Sequence, residues 1–171
     1  MKKFLVIASA LAATALTATA AQAVPATANA TGQVIIATPL TITSTANFDL
    51  GTVVLSGPSG FSTTVGIDQS NALTCPAAAV TCSGTTSVAQ YSIVGTPGAT
   101  VSITVPDVTL NNGTVGEDLT LSVDAPTSLL LTSAAATATG EVFSIGGSID
   151  LSSSTPEGVY TGLFNVSADY Q

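Results

Sequence analysis

From residue 24 onward, apolar side chains recur at every second position in short runs broken by Gly, Pro, Asn and Ser. Helical spacing is nearly absent. Period-two alternation is the mark of strands with one face turned to a core. Gly32–Thr43 reads as an opening strand interrupted at Pro39, which has no N–H to give to a ladder and so marks an edge or a break. Phe48–Ser56, around Gly51, and Gly60–Asp68 follow as strands. Thr86–Gly95 and Ala99–Val105 read as a pair, with Thr96-Pro97-Gly98 as a hairpin-type turn between them. Leu110–Asp118 is a loop carrying the turn signal Asn112-Gly113. Asp118–Ala125 and Ser128–Ser133 are two further runs, and the Ala-rich Thr132–Gly140 reads as a loop. Gly140–Ser152 is a strand pair, or one strand broken at Gly146-Gly147. The last strand is expected to run from Val159 to Tyr170. One face carries Tyr160, Gly162, Phe164, Val166, Ala168 and Tyr170. Apolar Val159 and Leu163 on the other face place that strand near the core, with Tyr170 anchored over the rim.

Eight or nine strands at this spacing fit two architectures: a β-sandwich and a small transmembrane barrel. A barrel needs aromatic girdles at both membrane interfaces. The chain has no Trp, and beyond residue 23 its aromatics are Phe48, Phe61, Tyr91, Phe143, Tyr160, Phe164 and Tyr170. The reading is therefore all-β: a single β-sandwich of the immunoglobulin-like or jelly-roll sort over residues 24–171, with no linker or repeat dividing it.

Residues 1–23 are set apart. Lys2 and Lys3 precede an apolar run, and Ala21-Gln22-Ala23 is a small-x-small site, so this stretch reads as a secretory signal peptide cleaved after Ala23. The competing reading, a retained anchor, suffers from the short apolar run, and no later stretch is long and apolar enough for a spanning helix. Cleavage changes the charge. The net −8 counts Lys2 and Lys3, which are the chain's only basic side chains, and there is no His. Residues 24–171 keep all ten acids and no side-chain cation. Nucleic acid is excluded as a partner, because phosphate contacts need cations. Intrachain side-chain salt bridges are excluded too, so burial and backbone hydrogen bonding must hold the fold. Export places the chain in the periplasm, at the cell surface or outside the cell. There the pair Cys75 and Cys82 is expected to form a local disulfide on a loop tip. Two thiols without His are too few ligands for the alternative, a metal pair.

Catalytic constellations find little material. A Ser-His-Asp triad lacks its His, and a Schiff base lacks its Lys. Adjacent Glu117 and Asp118 would point to opposite faces in a strand and read as solvated loop acids. Asn111, Asn112, Glu117 and Asp118 offer oxygen atoms for Ca²⁺ without the spacing of a calcium loop. The expectation is no enzyme, no metal and no cofactor.

The ending carries a resemblance. Counting back from Gln171, Gly158 is the fourteenth residue and Tyr170 the second. A glycine and a penultimate tyrosine so placed resemble the C-terminal signature of chaperone–usher pilins. Gly158-Val-Tyr160-Thr-Gly162 also looks like the ending of spore coat U-type secreted proteins. Further stretches are Pro39-Leu40-Thr41-Ile42, Asp49-Leu50-Gly51-Thr52-Val53, Val94 to Val101 and Gly146-Gly147. Taken with Gly158 to Gln171, they are similar to a family of secreted bacterial domains of unknown function, family 4402. The pilin likeness implies a sandwich completed by strand donation, first from a periplasmic chaperone at an usher and then from the next subunit. On that implication Gly158, Tyr160, Gly162, Phe164, Val166 and Tyr170 form the terminal-strand interface, and residues 24–36 supply the donor strand. The expected function is a non-enzymatic secreted structural protein, a fimbria-like or cell-surface subunit. The alternative is a self-contained β-sandwich that binds a small ligand or glycan.

Overall fold

A computed structural model describes residues 28–34, 36–114, 116–132 and 139–171. Residues 1–23, read as a signal peptide, and residues 133–138 of the Ala-rich loop fall outside them. Residues 28–34 have no regular secondary structure, and the sandwich spans Ile36–Gln171. Its strands are β1 (Thr41–Ala46), β2 (Thr52–Leu55), β3 (Ser62–Ile67), β4 (Leu73–Thr74), β5 (Val80–Ser83) and β6 (Ala89–Val94). They continue with β7 (Thr100–Thr104), β8 (Val108–Leu110), β9 (Leu119–Asp124), β10 (Ser128–Leu130), β11 (Glu141–Ser152) and β12 (Ser167–Tyr170). No helix occurs among the described residues.

The strand β11 organises the molecule. Its first half, Glu141–Ile145, pairs with β6, which in turn pairs with β1. Its second half pairs with β3 from Gly147 and with β9 from Gly146 to Ile149. All these ladders are antiparallel. Gly146-Gly147 therefore does not break the strand, as the sequence allowed, but marks where it changes partners. The reason is steric: a Cβ at Gly146 would collide with the Ile67 carbonyl oxygen, and one at Gly147 would lie 3.0 Å from the Leu121 side chain. Side-chain-free backbone lets both neighbours close on the strand at the crossover.

Each half of β11 is covered by a different small sheet. Over the first half lies a sheet of order β10-β7-β12, enclosing buried Ala89, Ile93, Val101, Ile103, Leu131, Phe143 and Ile145. The second half helps to enclose Val65, Ala79, Val80, Val108, Leu121, Ile149 and Leu151, with side chains of the β2-β5 pair packed against this cluster. Phe48, Val123 and Phe164 pack against both clusters. Among the described residues the sheets do not close on themselves, so the architecture is the sandwich and not the barrel. Each fully buried Ile or Leu contributes roughly 1.5–3 kcal/mol, in a domain with no ion pair to draw on.

Two sequence readings change. First, Thr86–Gly95 and Ala99–Val105 are not hairpin partners. β6 lies in the large sheet and β7 in the three-stranded one. Thr96-Pro97-Gly98 is a corner between sheets, with the Gly98 N–H bonded to the Leu131 carbonyl at 2.7 Å. Alternation reports which face is buried but not which strand lies alongside. Second, the Cys75–Cys82 disulfide forms, with Cα atoms 6.3 Å apart, but it is more than a loop-tip staple. Cys75 follows β4 of the large sheet, while Cys82 lies in β5 of the β2-β5 pair. The bridge joins the two layers around the second cluster, against which both cysteines pack.

Residues 24–171 carry acids alone, so every side-chain charge term between them is repulsive. Raising sodium chloride from about 10 mM to about 150 mM shortens the screening length from roughly 30 Å to 8 Å. The melting temperature of the mature chain is expected to rise across that interval in differential scanning calorimetry. A fall would contradict the charge account.

Candidate functional site along the terminal segment

The expected twelve-residue last strand is regular only over β12, at Ser167–Tyr170. Upstream, Thr161 makes an isolated antiparallel bridge to Asn111. From Gly162 to Val166 no backbone group bonds to the backbone of any described residue. The alternation is nevertheless real: Tyr160, Phe164, Val166, Ala168 and Tyr170 are half-buried, and the residues between them are exposed. What fails is the partner. β12 pairs with β7, whose ladder stops at Thr104. Pro106 follows two residues later and has no N–H to donate. The opposite edge of β12 has no partner among the described residues.

Each residue of the expected interface finds a place. Gly158 abuts Asn112, where a Cβ would meet the Asn112 Cβ at 3.1 Å. The Tyr160 hydroxyl donates to the Pro156 carbonyl at 2.9 Å and accepts from the Asn112 amide at 3.3 Å. At Gly162 a Cβ would lie 2.6 Å from Val108 Cγ1 and 2.7 Å from the Thr109 carbonyl oxygen, so the segment lies against β8 only because this residue has no side chain. Phe164 sits where the two clusters meet, its ring 5.7 Å from that of Phe48 and tilted by 58°. Val166 and Tyr170 pack on the first cluster. The Tyr170 hydroxyl donates to the Thr38 carbonyl at 2.7 Å and accepts from the Thr96 N–H at 2.8 Å. It thus ties the end of the chain to the approach to β1 and to the β6–β7 corner.

The second face differs from the sequence reading. Val159 is 81% exposed and Leu163 85% exposed, so neither approaches the core. They stand on an open, uncharged stretch: Gly158–Ala168 contains no acid, as does Val24–Phe48. What the sequence missed is the role of Thr38, and of Thr96 and Asn112 beyond their turns. They hold the two tyrosine hydroxyls from 132, 74 and 48 positions away, and no local pattern announces such contacts.

Outside this segment the polar groups are turned on one another. The amide of Asn111 donates to Asp118 and that of Asn112 to Glu117, so the loop acids serve the loop. Asp68 accepts from the Ser70 hydroxyl at 2.6 Å and from the Ala72 and Ser70 N–H groups, each at 2.9 Å. The Ser70 hydroxyl, then the Ala72 N–H, hold its carboxyl below the usual carboxylate range against a smaller opposing effect of burial, with the Ser70 N–H adding to the lowering. No group of three or more His, Cys, Asp or Glu suited to a metal occurs among the described residues.

These features define an all-β sandwich whose distinguishing surface is a terminal segment with an unpaired edge. The chain belongs to the family described as domain of unknown function DUF4402, whose model matches residues 40–170, the sandwich almost end to end. No curated protein and no solved structure matches it.

Proposed function

We propose that this chain is a non-enzymatic, secreted structural subunit of a fimbria-like or cell-surface assembly, built by β-strand addition along the free edge of the terminal segment. The observation that carries this reading is the run Gly162–Val166, without backbone partners among the described residues, continuing into a β12 whose outer edge none of them pairs. Unpaired strand edges bind added strands through main-chain hydrogen bonds. Exposed Val159 and Leu163 give the edge apolar contacts. The charge pattern supports self-assembly there: Gly158–Ala168 and Val24–Phe48 are stretches that two copies of an acidic chain bring together without opposing carboxylates. Residues 24–171 contain no lysine, so covalent lysine cross-links between subunits are closed to them. A periplasmic chaperone and usher are the partners that the pilin-like ending implies, and residues 24–36 are the proposed donor.

The test is truncation. In sedimentation experiments the mature chain is expected to form concentration-dependent assemblies, and deletion of residues 24–31 is expected to abolish them while leaving the monomer's circular dichroism unchanged. Unchanged assembly after the deletion would remove the donor role.

A further inference from the structure

Asn112 joins the loop between β8 and β9 to the terminal segment. Its Oδ1 accepts the Thr114 N–H at 2.8 Å, and its amide nitrogen donates to Glu117 Oε2 at 3.0 Å and to the Tyr160 hydroxyl at 3.3 Å. The next residue, Gly113, has φ of +87° and gives its N–H to Asn111 Oδ1 at 2.6 Å. Asparagine followed by glycine is the pair in which the following backbone nitrogen most readily reaches the side-chain amide carbon, because no Cβ obstructs it.

We propose that Asn112 is a deamidation site whose reactivity is set by the docking of the terminal segment. In the reaction the Gly113 nitrogen loses its proton and bonds to Asn112 Cγ. The Cγ–Nδ2 bond breaks, and ammonia leaves carrying that proton. Water then opens the five-membered imide at either carbonyl, giving an aspartate or an isoaspartate with a new carboxylate. Water is the only co-reactant, and nothing is oxidised or reduced.

The folded loop opposes each early step, and the docked terminal segment adds one restraint through Tyr160. The Gly113 N–H is engaged by Asn111, and the Asn112 amide is held at both its oxygen and its nitrogen. Departure of Tyr160 removes one of these restraints. The product then favours the released state. A carboxylate at position 112 stands beside Glu117 and has no N–H to offer Tyr160, and residues 24–171 hold no side-chain cation to offset the repulsion. Deamidation is therefore a one-way loosening of the Gly158–Gly162 contact. The inference does not depend on the assembly reading, since it concerns the docked monomer alone.

The experiment incubates the purified mature chain in mildly alkaline buffer. It follows conversion of Asn112 by peptide mass spectrometry with isoaspartate detection, using a free peptide of residues 110–118 as reference. Three hydrogen bonds restrain the amide, so conversion in the folded chain is expected to be about tenfold or more slower than in the peptide. The conservative variant Tyr160→Phe keeps the ring and is expected to speed it by about threefold or more. Asn112→Asp, which installs the product directly, is expected to accelerate amide hydrogen exchange at Thr161 and Asn111, whose N–H groups donate to each other's carbonyls. A folded-chain rate equal to that of the peptide would overturn the proposal. So would a rate indifferent to Tyr160→Phe, or unchanged exchange in Asn112→Asp.

Discussion

Phe164→Ala is expected to destabilise the sandwich by about 3 kcal/mol, at the low end for truncation of a core phenylalanine because the ring is only half-buried. The effect is large for one residue because Phe164 packs against both core clusters and against Phe48. Its removal opens a void at the junction and weakens the hold on a segment that has no backbone ladder around it. Urea unfolding of the monomer should show a lower midpoint at unchanged slope. A loss below about 1 kcal/mol, the level of ordinary surface substitutions or little above it, would mean that the terminal segment is not packed as described.

Replacing both cysteines, Cys75→Ser with Cys82→Ser, is expected to cost roughly 2–3 kcal/mol through the freed entropy of an eight-residue loop in the unfolded chain. That corresponds to a melting-temperature drop of roughly 5–10 °C for a domain of this size. Because the bridge joins the two layers around the second cluster, the loosening should be local. Amide exchange should accelerate in β2, β4 and β5 more than in β6 and β7. Uniform acceleration would show that the disulfide acts on the unfolded chain alone, without a role in holding that end of the sandwich.

Local patterns carried much of the fold. Gly60–Asp68 and Asp118–Ala125 hold β3 and β9, and the paired cysteines are bonded. Non-local partners were not legible. Ala99–Val105 alternates as β7 does, yet its neighbours β10 and β12 lie far along the chain. The terminal run shows the same limit from the other side. Val159–Tyr170 alternates in sequence and its exposure follows except at exposed Gly162, but a ladder needs a partner strand, and the β7 ladder stops just short of Pro106. The glycines of Gly158-x-Tyr160-x-Gly162 stood out in sequence. Their physical reason, close approach to Asn112 and to β8, needed the structure. Cys75–Cys82 was found as a pair, but its place between two layers was not, because seven residues of separation suggest a local loop.

The proposed assembly fills an edge of the terminal segment that has no partner among the described residues. Amide hydrogen exchange of Leu163–Val166, compared between monomer and assembled chain, tests it most directly. Exchange in the monomer is expected to be fast, near that of an exposed loop, because these amides have no backbone partners among the described residues, and assembly is expected to protect them strongly. Protection already present in the monomer, or exchange that stays fast in the assembly, would contradict the account.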